Sequence, residues 1–158
     1  MMENVLDVAS YIYNKYQSTY GEQISEMKLQ KLLYFTQRES FIQNNRPLFN
    51  AVFYAWKYGP VLKEVRIAYQ QGTLGSIVLS PEVACRIAPV VDYVFSSLGN
   101  NDAWSLSRLS HGEISWKNAR VGLSEYENGD NPMKNEDIMQ DAMRIRERRN
   151  ILNDLGLL

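Results

Sequence analysis

Nucleophilic catalysis requires an activated serine, cysteine or threonine with a base in reach, and this sequence contains a single histidine for that role. Ser110 adjoins His111, but sequence neighbours do not usually face each other, and no nucleophile-elbow glycine pattern surrounds Ser110. We therefore expect His111 to act structurally, by capping or hydrogen bonding near Trp116. The sequence predicts no catalytic residues and no enzyme activity.

Phosphate and metal chemistry also lack their usual patterns. The glycines at 72–75 are not followed by Lys-Ser or Lys-Thr, and they come after a predicted helix instead of a strand. Cys85 and His111 are the only residues of their types and cannot supply the usual four ligands of a zinc site. Glu125 and Glu127 stand in a polar loop, where solvation explains them better than acid–base work. We expect no cofactor and no metal.

Length and charge indicate a small globular protein. The 158 residues predict one domain spanning 1–158. Seventeen basic and eighteen acidic side chains leave a net charge of −1, which argues against a nucleic-acid binder that relies on a globally positive surface. The sequence shows neither a basic, apolar leader nor an apolar run of roughly 18 residues. We expect a cytoplasmic protein without a membrane or nucleic-acid partner.

The most strongly patterned helix contains residues 27–35. Its core face follows the i, i+3, i+4 rule, with Leu29, Leu32 and Leu33. Lys28 and Lys31 are three residues apart and share another face. Ser25 stands at the N-cap position, and the helix is predicted to end at the asparagines and proline of 44–47. All other elements must be positioned around this helix.

A change of period predicts a small β element. Aromatic and aliphatic residues alternate over 51–58, which favours a strand, and the β-branched run 76–79 is its predicted pairing partner. Between them, Gly59 is predicted to form a turn, and Pro60 to lie in the first turn of a helix over 61–71. The fold class is therefore mainly α: a compact multi-helix single domain with a two-stranded β element around 51–58 and 76–79.

Helical spacing predicts further helices over 4–16, 81–98, 102–109, from 116, and from 135 to 152. Pro89 is expected to kink the second of these or to begin a new helix. Ser115 is the predicted cap of the helix that starts at Trp116. The last helix carries four arginines in its second half: Arg144, Arg146, Arg148 and Arg149. They indicate a solvated helix end or, alternatively, a docking patch for an acidic partner.

Three separated stretches, residues 27–35, 55–61 and 110–120, together resemble the Panacea domain family. The family is also seen as the SocA-like antitoxin domain and in phage-associated GepA-like proteins. The loop 122–131 and residues 136–138 are similar to its C-terminal portion. Ser115 departs from the family pattern, which often has proline before the tryptophan.

This resemblance implies a small helical protein that is the neutralising half of a toxin–antitoxin pair, often encoded near or within prophages. Neutralisation would proceed by protein contact, by occluding the toxin directly or by presenting it to a protease machine as an adaptor. The cognate toxin is not identified by the sequence, and self-association stays open. The resemblance assigns protein binding to one group of residues: Lys28, Lys31, Trp56, Lys57, Tyr58, His111, Trp116 and Arg120. For the aromatic residues of this group, the alternative is a place in the core.

Two other function classes remain as alternatives. A short helix, a turn and a following helix with Lys28 and Lys31 could imitate a helix-turn-helix, as in a DNA-binding regulator of a phage or mobile-element locus. An enzyme or small-ligand binder would instead require His111, Trp116 and Arg120 to converge in a pocket.

Overall fold

The computed structural model describes residues 2–158, and it confirms a mainly α fold with a small two-stranded antiparallel sheet. The elements are α1 (Val5–Tyr20), α2 (Glu26–Asn44), β1 (Tyr54–Trp56), β2 (Gly59–Val61), α3 (Lys63–Gln71), a 3₁₀ turn (Leu74–Ser76), α4 (Pro81–Leu98), α5 (Ala103–His111), α6 (Ile114–Ala119) and α7 (Asn135–Asp154).

Helix α2 lies at the centre, and the other helices surround it. Its N-terminus is capped as predicted, because the Ser25 hydroxyl accepts a hydrogen bond from Lys28 N at 3.2 Å. The three leucines of the predicted core face are fully buried. The remaining faces are buried as well, so the polar side chains of α2 must find partners inside the protein.

The predicted strand partner 76–79 is wrong. The sheet is a local hairpin in which β1 pairs with β2, and Ala55 faces Pro60. Gly59 permits the tight reversal because its φ is +115°. The other edge of β1 is occupied by the segment 131–133, since Ala55 N donates to Asn131 O at 2.8 Å. Both edges of β1 are therefore occupied, and 76–79 lies outside the sheet, where Val78 is 93% exposed.

Two helix starts also differ from the prediction. Pro60 lies in β2, and α3 begins at Lys63 because Gln30 of α2 binds both backbone groups of Leu62, at 2.8 and 3.0 Å. Helix α6 begins at Ile114, and the carboxylate of Asp141 replaces Ser115 as its cap. In α4, the helix continues through Pro89, so Pro89 begins no new helix.

Half of the arginine cluster on α7 serves the fold. Arg146 donates to the carbonyls of Phe41 and Ile42 and to Asn45 Oδ1, and thereby caps the end of α2. Arg149 forms two hydrogen bonds with Glu39, at 2.9 and 3.0 Å. Arg144 and Arg148 are exposed. None of the helices within residues 2–158 has the length and hydropathy that crossing a membrane requires.

Candidate functional site

A cavity of about 760 Å³ lies between the start of α2 and the β1–β2 hairpin. Two of the three stretches singled out in the sequence line it. The lining residues are Glu26, Met27, Gln30, Lys31, Trp56, Lys57, Tyr58, Gly59, Val61, Arg66, Asn128, Gly129 and Asp130. Its volume lies in the range of ligand-binding pockets.

Lys31 is the most unusual residue of this cavity. Its side chain is only 2% exposed, and Nζ donates a hydrogen bond to Pro60 O at 3.0 Å. Burial lowers the pKa of Lys31 from 10.5 to about 7, although the charge of Glu26 acts in the opposite direction. An ammonium group in such a place costs free energy that an apolar side chain would not.

The hairpin turn is shaped around Lys31. A Cβ atom on Gly59 would lie 2.5 Å from Lys31 Cε and 2.6 Å from Ser110 Oγ, so only glycine fits against them. Helix α5 holds the turn from the other side, because Ser107 Oγ donates to Tyr58 O at 2.7 Å. The glycine, the lysine and the two serines thus form one packed unit.

Trp56 forms one wall of the cavity through an ordered set of partners. Its indole Nε1 donates to Asp130 Oδ1 at 2.8 Å, and Lys63 Nζ donates to Asp130 Oδ2 at 2.9 Å. The guanidinium of Arg66 lies 5.4 Å from the Trp56 ring centroid and pairs with Glu26 at 2.6 Å. These contacts fix the indole at the edge of the cavity.

Tyr58 extends the apolar surface outward from the cavity. Its side chain is 47% exposed and packs edge-to-face on Trp104, with ring centroids 5.3 Å apart. Trp104 is itself 54% exposed. Lys57 Nζ lies 5.3 Å from the Tyr58 ring centroid. The hairpin tip and the start of α5 therefore present two large aromatic side chains to solvent, beside the partly exposed Lys57.

His111, Trp116 and Arg120 stand behind the hairpin, and none of them lines the cavity. Trp116 Nε1 donates to Trp56 O at 2.9 Å, and Arg120 Nη1 donates to Ala55 O at 2.9 Å. The His111 ring stacks on Trp116 with centroids 4.1 Å apart. Burial lowers the pKa of His111, which favours a neutral imidazole. The third stretch thus supports the backbone of β1.

Arg120 also organises the loop that closes the cavity. Its Nη2 donates to Ser124 O at 3.0 Å and to Glu127 O. These contacts position the following residues, among them Asp130, beside Trp56. A lysine could not reproduce this forked arrangement of donors.

Lys28 lies away from this cluster, although it shares a helix with Lys31. Its Nζ donates to Gly99 O at 2.7 Å at the end of α4 and lies 4.8 Å from the ring centroid of Tyr16. Lys28 is 8% exposed, and burial lowers its pKa. The structure therefore brings together seven of the eight predicted residues and separates Lys28 from them.

A second polar centre, which the sequence analysis missed, lies within the core. The Tyr34 hydroxyl is 3.2 Å from Glu113 Oε2, 3.1 Å from Asp141 Oδ2 and 2.9 Å from Ser115 Oγ. Arg38 pairs with Glu113 at 2.5 Å. Burial raises the pKa of Glu113 to about 6, although Arg38 opposes the shift. This network ties α2, α6 and α7 together behind the hairpin.

Gln30 and Gln37 were also missed as structural residues. Gln37 binds the backbone of the segment after α2, accepting from Leu48 N at 2.8 Å and donating to Phe49 O at 2.8 Å. The two glutamines are seven residues apart, which places them on one face of the helix. That spacing on one face of the helix was the available signal. No group of three His, Cys, Asp or Glu side chains within residues 2–158 is placed to hold a metal ion.

Comparison with known proteins agrees with these features. The family model described as "Antitoxin SocA-like, Panacea domain" matches residues 29–117, more than half of the chain. The protein named Antitoxin SocA from Caulobacter vibrioides (strain NA1000 / CB15N) is 53% identical over 38 residues. That match spans 24% of this chain and 20% of the relative's length. No solved structure matches the chain.

The chain belongs to the antitoxin SocA-like Panacea domain family. The matched range contains α2 from Leu29, the hairpin and Trp116, whereas the cavity residues Glu26, Met27 and 128–130 lie outside it.

Proposed function

We propose that this protein neutralises a co-encoded toxin by direct protein contact, and that the hairpin face with its cavity is the contact surface. One observation carries the proposal: residues of the first stretch (Met27, Gln30 and Lys31) and of the second stretch (56–59 and 61) line a single cavity, and the third stretch supports it from behind. Residues far apart in the sequence thus build one face.

The chemistry of that face suits protein binding. Binding energy in interfaces is concentrated in tyrosine, tryptophan and arginine side chains around a well-packed centre. Here Trp56 and Tyr58 line a cavity with a largely apolar surface, Trp104 packs on Tyr58, and Arg66 lies on the cavity wall. The aromatic side chains are held by contacts within the protein, so little conformational entropy is lost when a partner binds.

The eight predicted residues take different parts in this proposal. Lys31, Trp56, Lys57 and Tyr58 line the cavity and contact the toxin. His111, Trp116 and Arg120 position the hairpin without touching the partner. Lys28 lies outside this surface and stabilises the junction of α2 with α4.

The proposals about domain extent, genetic context and site of action rest on family membership and on the contact between α7 and α2. The domain extends over residues 1–158 because α7, beyond the matched range, caps α2 through Arg146. A phage or mobile-element locus and a cytoplasmic site of action follow the family expectation, as does the absence of catalysis. Neutralisation by occlusion leaves the toxin intact, whereas an adaptor shortens its half-life, so a pulse-chase measurement of the toxin separates the two mechanisms.

The DNA-binding alternative loses its basis in the structure. Lys28 and Lys31 are 8% and 2% exposed, and both donate to backbone carbonyls, so neither lies on the kind of exposed helix face that a recognition helix places in a DNA groove. The pocket required by a ligand site at His111, Trp116 and Arg120 is also not the cavity described above.

Co-expression with the product of the adjacent gene tests the proposal. If that product alone arrests growth, the wild-type chain should restore growth and co-purify with it. Tyr58→Ala should weaken binding by about 30-fold or more, as expected for a central aromatic anchor. Tyr126→Ala is the matched control, since Tyr126 is 76% exposed and does not line the cavity. Full neutralisation by Tyr58→Ala, or equal loss in both variants, would contradict the proposed surface.

A further inference from the structure

The cavity combines an apolar lining with a buried positive group that lacks an anionic partner. The apolar lining is supplied by Met27, Trp56, Tyr58 and Val61. Among residues 2–158, no carboxylate forms an ion pair with Lys31. Its ammonium group has three donors, and the carbonyl of Pro60 takes one of them.

The acidic side chains of the cavity already have cationic partners. Glu26 pairs with Arg66 at 2.6 Å, and Asp130 pairs with Lys63 at 2.9 Å. Their negative charges are therefore neutralised locally, whereas Lys31 and Lys57 leave the cavity with excess positive charge. A ligand that brings a negative charge complements this arrangement.

The position of Lys31 is built into the fold. The hairpin glycine, Gly59, leaves room for the Lys31 stem, and Pro60 O receives the ammonium group. An apolar side chain at this position would avoid the cost of burying a charge. A lysine held in place at such a cost is typical of a site that uses the charge.

The surroundings favour a polypeptide as the source of the anion. The aromatic surface continues beyond the cavity to Tyr58 and Trp104, which are 47% and 54% exposed. A small carboxylate would fill the cavity and leave this outer surface uncovered, whereas a protein segment covers both.

We propose that the cavity binds a segment of the toxin in which an apolar or aromatic side chain stands close to a carboxylate, and that this carboxylate pairs with Lys31 Nζ. The apolar side chain packs against Trp56 and Met27. This inference rests on the proposed function and names the chemistry of the partner segment.

Calorimetric binding of the adjacent-gene product provides the first test. Lys31→Met keeps an unbranched side chain, one atom shorter than lysine, and removes its charge. It should weaken binding by about 30-fold or more because the partner carboxylate is left unpaired. Lys117→Met is the matched control, since Lys117 is exposed and lies outside the cavity; its affinity should stay within about twofold of wild type. Circular dichroism confirms that both variants are folded.

The pH dependence of affinity gives a readout that a structural role for Lys31 would not change. Pairing with a carboxylate keeps Lys31 protonated, so above pH 7 binding takes up a proton. Affinity should fall by about 20-fold between pH 6.5 and 8.5 in wild type and stay constant in Lys31→Met. The other charged or titratable groups around Lys31 are Glu26, Lys57, Arg66, Asp130 and His111. These groups are present in wild type and in Lys31→Met alike, so their titration does not account for a difference between the two.

The outcomes separate this inference from the proposed function. Loss of binding in Tyr58→Ala with normal binding in Lys31→Met would overturn the carboxylate anchor and keep the surface. Normal binding in both variants would overturn the carboxylate anchor and the proposed contact surface. Weakened binding in Lys31→Met without a pH dependence in wild type would assign Lys31 a structural role. A Lys31-dependent dimer, or Lys31-dependent binding of 3-phenylpropionate without any effect on toxin affinity, would assign the cavity to another occupant.

Discussion

Replacing Lys31 by methionine should remove a pH dependence of folding stability. In the folded chain, burial lowers the pKa of Lys31 to about 7, against 10.5 for a solvated lysine. Between these values the unfolded chain holds a proton that the folded chain releases. The free energy of unfolding therefore rises with pH through this window and falls as pH is lowered toward 7.

The magnitude follows from the same shift. Each pH unit inside the window changes the free energy of unfolding by about 1.4 kcal/mol, less near pH 7, where the folded lysine is half protonated. From pH 7 to pH 9, wild type should gain about 2 kcal/mol relative to Lys31→Met. The variant also leaves Pro60 O without its donor, but that cost is the same at both pH values.

Urea unfolding followed by tryptophan fluorescence measures this difference. Wild type, Lys31→Met and the control Lys117→Met are compared at pH 7 and pH 9, so the other titrating groups cancel. Lys117→Met should follow wild type. If wild type and Lys31→Met change in parallel, Lys31 is solvated in the folded protein, and the burial argument for the cavity is refuted.

Three further predictions concern the supports of the hairpin. Gly59→Ala should lower the free energy of unfolding by about 3 kcal/mol through steric overlap and backbone strain. Gly72 has a φ of +70° and no atom within 4 Å of an added Cβ, so Gly72→Ala should lower it by only about 1 kcal/mol. Equal losses of stability in urea unfolding would contradict the steric argument. Asp141→Asn should cost about 2 kcal/mol, because an amide cannot keep every hydrogen bond of the carboxylate, and a urea midpoint equal to that of wild type would contradict this. Arg120→Lys should raise the rate of amide hydrogen exchange in residues 123–131 by about tenfold and leave the rate in α2 unchanged. An unaltered exchange rate in that loop would show that Arg120 does not hold it.

Local signals in the sequence were sufficient for the main helices. Ser25 before an amphipathic run predicts the start of α2, and its hydroxyl forms the expected cap. Asp102 likewise caps α5 through Ser105 N at 2.8 Å. These features depend on residues within one turn of each other, so spacing alone is enough to find them.

The pairing partner of β1 could not be predicted from local sequence patterns, for a physical reason. Its partner strand was assigned to 76–79 because composition favours a strand there, but pairing depends on which edges are free. The edge of β1 is taken by 131–133, more than 70 positions along the chain. Asp141, which replaces Ser115 as the cap of α6, lies 27 positions along the chain from Ile114, whose backbone N–H donates to it. Neither contact leaves a local pattern.

The sequence grouped residues of which most lie together in the structure, but it did not indicate what each of them contacts. Helical spacing placed Lys28 and Lys31 on a face away from the leucines, but burial of that face depends on backbone carbonyls at Gly99 and Pro60. Backbone acceptors carry no sequence signature. The resemblance to the family grouped seven residues correctly in space, and the structure divides them into cavity-lining and supporting residues.

Hydrogen–deuterium exchange of the chain, alone and bound to the adjacent-gene product, tests the toxin-binding surface most directly. The account predicts slower exchange on binding in residues 54–61 and 26–31, with little change in the exposed part of α7 from Arg144 to Asp154. Slower exchange confined to α7, with the hairpin unchanged, would place the toxin on the arginine-bearing helix and contradict the central claim.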